Sequence, residues 1–255
     1  MLFWLATWVM NNAGIDLVEI LGMHYPASDK FRLHQVFTYM FMHSPIGSPN
    51  GFMHIFFNMF ALYMFGRVLE SVWGSKRFLL YYIVTGLGAL ALHVFVNFLE
   101  FNAMQNTLEA FRNTPSPEIL EKFVNKHLSD ASVQLHDFIN SWYDDPSNKS
   151  FAAEGLGIME RIYKLKLDIP TIGASGAVFG VLLAFGMLFP NTQLMLLFPP
   201  IPIKAKYFVI GYGALELYLG FSQPGSSVAH FAHLGGMLFG YFMIKYWNKH
   251  SNRFY

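Results

Sequence analysis

Ser175 lies in Gly173-Ala174-Ser175-Gly176, four residues into an apolar stretch running from Ile172 to Phe189. His54 and Asn58 lie near the start of a second apolar stretch, and His233 near the start of a third. A serine among small residues is common where membrane helices pack closely. Here three separate stretches carry a nucleophile, a base and two hydrogen-bond donors, and that set fits acyl transfer. A serine hydroxyl is a weak nucleophile until a base takes its proton. A neutral histidine does that at physiological pH. The tetrahedral intermediate then needs preorganised donors for its oxyanion, and the Asn58 amide, a His54 ring N–H and the Ser175 backbone N–H are of that type. Gly173 and Gly176 leave room beside the serine for a substrate backbone. No acidic residue stands in the first turns of these stretches, so a third member of a triad is not evident and the expectation is a Ser–His dyad.

These residues share a site only if the elements carrying them share a depth. The chain of 255 residues is 54% hydrophobic and 13% charged, against about 25% charged in soluble domains. That deficit points to a polytopic membrane protein. Net charge is +1, which gives no reason to expect a nucleic-acid partner. The absence of cysteine excludes disulfides, a thiol nucleophile and thiolate metal sites. No basic region precedes the first apolar run, so a secretory signal is a poor reading.

Six apolar segments stand out: Met1 to Met10, Phe52 to Val72, Phe78 to Phe98, Ile172 to Phe189, Tyr207 to Phe221 and Val228 to Trp247. A span needs about 20 residues to cross about 30 Å. The second, third, fourth and sixth qualify, and the fifth does if it extends through Ala205 and Lys206. The first is too short. Either upstream sequence completes it, or its helix continues past Asn11 and Asn12 toward Leu21. Leu194 to Ile203 is broken by Pro199, Pro200 and Pro202 and reads as a loop in the interface.

Basic residues set the orientation. Arg67, Lys76 and Arg77 flank the second turn between spans, Lys204 and Lys206 the fourth, and Lys245, Lys249 and Arg253 follow the sixth span. The opposite side holds only Lys30 and Arg32 in its short connections. The C-terminus is therefore expected to be cytoplasmic, and the second, fourth and sixth spans all run inward from the outer face. His54, Asn58, Ser175 and His233 then fall in the outer third of the bilayer, where ionisable side chains are costly and read as functional.

Glu100 to Asp168 is charged and mixed in sign. Ser116-Pro117-Glu118 followed by Ile119, Leu120 and Phe123 predicts a helix start with proline in its first turn. Ala131 to Trp142 and Phe151 to Leu165 also have helical spacing. This predicts a small helical insertion outside the membrane and divides the chain into a membrane core at 1–99, the insertion at 100–167, and further core plus tail at 168–255. Its seven basic residues fit that side, because long loops translocate largely regardless of charge.

The motifs carry a resemblance. Gly173-Ala174-Ser175-Gly176 is similar to the G-x-S-G motif of rhomboid intramembrane proteases. Ala232-His233-Leu234-Gly235-Gly236 resembles their A-H-x-x-G motif, and His54-Ile55-Phe56-Phe57-Asn58 their H-x-x-x-N motif. Arg67 to Arg77, with Glu70 and Gly74, looks like the family's cytoplasmic turn. The resemblance covers roughly Phe31 to Phe98 and Thr171 to Trp247. It implies an all-α, six-helix rhomboid-like bundle with the insertion between the third and fourth spans. It also implies a multi-pass protein of a bacterial cytoplasmic membrane. By the same resemblance Ser175 is the nucleophile, His233 the general base, and His54 and Asn58 the oxyanion-stabilising pair. No cofactor or metal is implied. The implied partners are the lipid bilayer and a transmembrane-helix substrate, cut near its outer end. Ser222 to Ser227 resembles the mobile outer loop that admits it.

Departures from the family pattern are informative. His34-Gln35 stands where many members have Trp-Arg, so the lipid-facing loop is anchored differently. Phe179 stands where a tyrosine often stacks on the catalytic histidine, and a phenyl face still stacks. His230, one turn before His233, competes for the base but lacks the glycine three residues on. His43 is expected to hydrogen-bond the loop after it, and Glu70 to tie the cytoplasmic turn to Arg67 or Arg77. His93 and Glu216 are expected to bond between helices, with no partner legible. A zinc site at His54, His230 and His233 is the runner-up chemistry, with no carboxylate evident beside it. The competing function class is a non-catalytic rhomboid-like protein that binds transmembrane helices. A transporter is a distant third, with no inverted repeat visible.

Overall fold

The computed structural model describes residues 2–48, 51–128, 132–195, 200–222 and 229–250, without the side chain of 250. Helix α1 (Leu2–Asn12) stops at a turn with Gly14 at φ 78°. The short α2 (Leu17–Leu21) then restarts behind Asp16, whose Oδ1 accepts from the N–H of Val18 at 2.8 Å and Glu19 at 3.1 Å. The first helix therefore does not continue to Leu21: the left-handed glycine turns the chain and Asp16 caps a new helix.

A loop follows, with α3 (Gln35–Thr38) and a 3₁₀ turn at Tyr39–Phe41. Gln35 is its anchor. Buried, it accepts at Oε1 from the N–H of His24 and Arg32 and donates from Nε2 to the carbonyls of Ile20 and Lys30. This is the different anchoring expected of His34-Gln35.

The second span is a single helix, Gly51–Trp73, made of α4 (Gly51–Ala61), a π turn at Leu62–Gly66 and α5 (Arg67–Trp73). Gly74, at φ 76°, reverses the chain into α6 (Ser75–Asn113). Glu70 accepts from the Ser75 hydroxyl at 2.5 Å, so its tie across this turn runs to serine. The Arg77 guanidinium lies 4.1 Å from the Trp247 ring centre.

At 39 residues, α6 is about 58 Å long at helical rise, against about 30 Å of hydrocarbon. Its apolar part ends by Phe98, and the rest projects as an unbroken rod. On that rod pack α7 (Pro117–His127), α8 (Val133–Asp144) and α9 (Lys149–Leu167). Each starts where its polar cap falls: Ser116, Ser132 and Asn148 accept from Ile119, Leu135 and Ser150 N–H groups. Phe111, Leu120, Val124, Trp142 and Met159 form a core among these helices.

Glu100 ties this core to α6. The His127 ring of α7 beside it and the Lys166 ammonium of α9, 3.1 Å away, hold its carboxyl down to about 2 although burial pushes the other way. A depressed folded-state pKa contributes stability that is present above the unfolded value of about 4.3 and is lost as pH falls through the folded value. The insertion should therefore lose stability progressively between roughly pH 5 and 2. Glu100→Gln should flatten that dependence in acid denaturation monitored by Trp142 fluorescence, and an unaltered acid transition would remove Glu100 from the account.

The remaining elements are α10 (Ser175–Leu188), a short antiparallel hairpin of β1 (Gln193–Met195) and β2 (Pro202–Lys204), α11 (Ala205–Ser222) and α12 (His230–His250). The ends of the segment expected to be an irregular interfacial loop thus pair as strands. The expected outer loop lies, beyond Ser222, outside the described residues.

Two helices among the described residues, Gly51–Trp73 and Ser75–Asn113, are long and apolar enough to cross a membrane. The apolar run from Ile172 to Phe189 does not form a full-length helix. Thr171 pairs with Met23 as an isolated bridge, Gly173 takes φ 120°, and α10 begins only at Ser175.

Helices α6, α10 and α12 form the centre of the bundle. Small residues permit it, since van der Waals contact must replace hydrophobic exclusion inside a membrane. A methyl on Gly176 would strike Ala89, and one on Gly236 would strike the Gly176 carbonyl. The buried Tyr81 hydroxyl donates to Gly180 O at 2.9 Å, bonding α6 to α10. Outward faces stay apolar at Phe56, Phe60, Ile210, Tyr218 and Phe242, as a lipid-facing bundle requires.

Candidate active site

Gly173 organises the site. Its N–H donates to Tyr39 O at 3.0 Å, and the Tyr39 hydroxyl donates to Gly86 O at 2.7 Å, fixing the approach to α10 from the loop that carries Tyr39. Its φ of 120° is one that residues with a Cβ rarely adopt. The turn it makes puts Ser175 at the first position of α10. First-turn N–H groups of a helix lack helical acceptors and carry the positive end of its dipole. Ser175 therefore stands where a developing negative charge is favoured.

Ser175 Oγ and His233 Nε2 are 2.8 Å apart. The close α10–α12 crossing through Gly176 and Gly236 brings them together. Phe179, one turn below Ser175, stacks flat on the His233 ring, with centroids 4.2 Å apart and planes 5° from parallel. The imidazole is thereby held edge-on to the serine.

His54 reaches the same space from α4. A methyl on Gly173 would lie 3.3 Å from His54 Nε2 and 3.6 Å from Ser175 Oγ, so both atoms border one small volume beside the serine. The Ser44 N–H approaches His54 Nδ1 at 3.5 Å, and the Ser44 hydroxyl lies 3.1 Å from it. A backbone N–H only donates, so Nδ1 accepts and the proton sits on Nε2. His54 thus presents an N–H toward the volume where an oxyanion would form. Asn58 is buried one turn on, with Nδ2 donating to His54 O at 2.8 Å. That bond is within its own helix and leaves one amide hydrogen.

His54→Ala should lower turnover by roughly 10²–10³-fold with a smaller effect on substrate affinity. Asn58→Ala should act in the same direction, and the double variant should lose less than the sum if both donors serve one oxygen. Reduced melting temperature with unchanged turnover in purified Asn58→Ala would give that residue a packing role instead.

Glu216 is the residue that the sequence did not place. Helix α11 runs opposite to α10 and α12, so a residue near its C-terminal end reaches the end of the bundle that carries Ser175 and His233. Buried Glu216 puts Oε2 2.7 Å from His230 Nδ1 and 2.9 Å from His233 Nδ1. The His230 contact is aligned as a hydrogen bond. The His233 contact has hydrogen-bond length but lies off the ring N–H direction. The first turns of the helices carrying His54, Ser175 and His233 hold no acid; the acid is on α11, which runs antiparallel to them. An ionisable residue within a span was the available signal.

His93 finds its partners in the Thr171 hydroxyl at 2.9 Å and Asn97 Nδ2 at 3.3 Å, which steadies the strand entering the Gly173 turn. His43 does not bond its loop through Nε2. That atom is buried with no partner among the described residues, and the ring lies 5.3 Å from that of His54.

The combination is a hydroxyl at a helix N-terminus, an imidazole on it and a second imidazole N–H across a small gap. Chemically it can deliver an alkoxide equivalent to a carbonyl and stabilise the resulting oxyanion.

A rhomboid domain model matches residues 30–103 and 142–249. Rhomboid protein 1, mitochondrial, from Saccharomyces cerevisiae is 33% identical over 97 residues, covering 36% of this chain and 28% of that protein. The chain thus spans a little over a quarter of that relative's length. No solved structure matches. The domain match extends over most of the chain and takes in α4, α10, α11 and α12, and with them every residue of the site: this all-α membrane protein belongs to the rhomboid family.

Proposed function

We propose that the chain is an intramembrane serine endopeptidase that cuts transmembrane helices near their outer ends. The observation carrying this reading is the 2.8 Å approach of Ser175 Oγ to His233 Nε2 at the start of α10. Ser175 Oγ attacks the scissile carbonyl as His233 Nε2 takes its proton. The carbonyl oxygen becomes an oxyanion facing the His54 Nε2–H and the N–H groups of the first turn. Collapse breaks the C–N bond, and His233 returns the proton to the departing amine. Water, deprotonated by the same nitrogen, then releases the acyl group from Ser175. Glu216 behind the ring supports His233 while it is an imidazolium.

The substrate is a membrane protein whose helix unwinds beside Gly173, and the bilayer is the medium of the reaction. Basic residues favour a cytoplasmic C-terminus, as in a bacterial cytoplasmic membrane, with the site at the outer face and the 100–167 insertion beyond it. The test is cleavage of a model transmembrane substrate in lipid bilayers. The parent chain should cut it. Ser175→Ala should not, at unchanged expression and melting temperature. Undiminished cleavage by that variant would overturn the assignment.

A further inference from the structure

We propose that Glu216, His230 and His233 form a zinc site whose occupation switches the Ser175–His233 pair off. The catalytic consequence rests on the protease reading; the binding does not. One ligand atom from each of the three residues lies within 4.8 Å of the others, and all three residues are buried. Two imidazole Nδ1 atoms crowd a single carboxylate oxygen at 2.7 and 2.9 Å. Only one of them is aligned to bond it. His233 Nδ1 is left buried without a formed hydrogen bond among the described residues.

That convergence fits a cation better than it fits two competing N–H groups. Two imidazoles and one carboxylate are a zinc ligand set, with bonds of about 2.0–2.2 Å and a fourth position for water. In a tetrahedron those bonds place ligand atoms about 3.3 Å apart, so the two short contacts need to open by only about half an ångström. The carboxylate supplies the anionic ligand that the sequence reading could not place beside these histidines, and it replaces His54, which lies across the serine.

Inhibition follows from the tautomer. In the working state His233 Nε2 must be an unprotonated acceptor for the serine proton, so the ring proton sits on Nδ1, toward Glu216. Zinc needs the Nδ1 lone pair. The ring protons of His233 and His230 therefore each move from Nδ1 to Nε2, with no net gain or loss and no redox change. The His233 Nε2–H then donates to Ser175 Oγ instead of accepting from it. The His233 ring has no lone pair left to serve as base, and Glu216 is held on the metal.

The experiment uses the full chain in lipid nanodiscs with zinc chloride as the probe. Zinc binding is measured by competition with a chromophoric chelator on the Ser175→Ala chain, so that the readout needs no turnover. The expected result is one zinc per chain, with affinity lowered about tenfold or more by adding His230→Ala or Glu216→Gln, since each removes a ligand. Unchanged affinity in both would show binding elsewhere and overturn the site. In the parent chain, zinc should suppress cleavage and a chelator should restore it. His230→Ala should keep measurable cleavage, and the zinc concentration for half-inhibition, taken against its own zinc-free rate, should rise about tenfold or more. Equal zinc sensitivity in the two chains would overturn the switch. A chain that binds zinc as expected but never cleaves would refute the protease reading and leave the metal site standing.

Discussion

His233→Ala is expected to be as inactive as Ser175→Ala, and the double variant is expected to lose little more than either one. The hydroxyl and the imidazole act as a unit across a 2.8 Å contact. Without the base the serine keeps its proton, and without the serine the base has nothing to activate. Knocking out one such member costs on the order of 10⁶-fold in a well-studied serine protease. His230→Ala should behave differently and keep measurable cleavage, because its formed bond goes to Glu216 rather than to the nucleophile. Turnover of the four purified variants at matched folded fractions decides the matter. If His230→Ala were dead and His233→Ala active, the base would be the other histidine.

Glu216→Gln is expected to lower turnover by roughly 10²–10⁴-fold with little change in KM. The carboxylate oxygen lies 2.9 Å from His233 Nδ1. It favours the tautomer that leaves Nε2 free and stabilises the imidazolium formed when the serine proton transfers. The amide keeps the shape and loses the charge. Turned the other way, its NH₂ group donates to Nδ1 and selects the wrong tautomer. Because that charge on His233 exists only during reaction, the loss should fall on kcat. A purely structural Glu216 would instead lower the melting temperature and spare turnover in the folded fraction. Turnover within about threefold of the parent, well short of one oxyanion-hole donor, would leave a dyad.

The contrast between Glu216 and Phe179 shows what the sequence made legible. Phe179 was readable only through the resemblance, which places an aromatic ring one turn after Ser175; the ring stacks on His233, a residue of another helix. The helix start at Ser116-Pro117 was readable because a cap and its helix are neighbours in the chain, whereas the cap at Ser132 emerges only from the structure. Glu216 depends on the relation between antiparallel spans. Its distance from His233 in sequence says nothing until α11 is known to run antiparallel to α12 beside it.

Hydropathy misjudged the start of α10 because Ile172, Gly173 and Ala174 are as apolar as the helix that follows. Only the backbone, with Thr171 paired to Met23 and Gly173 at φ 120°, shows that the chain is still a loop there. That shift has a functional consequence. It moves Ser175 from within a helix to its N-terminus, where the unpaired N–H groups are. The length of α6 was hidden for the opposite reason. Helical propensity continues past Phe98 although the apolar character ends there, so the hydropathic boundary is not a structural one.

The most direct measurement of the central claim is covalent labelling by a fluorophosphonate. Such a probe loses fluoride to an activated serine and leaves phosphorus bonded to its oxygen. It requires the nucleophile and its base, but no natural substrate. Peptide mass spectrometry of the purified, folded chain should place the adduct on Ser175 and find it absent from Ser175→Ala and His233→Ala. A folded parent chain that remains unlabelled, or one labelled equally well without His233, would contradict the account.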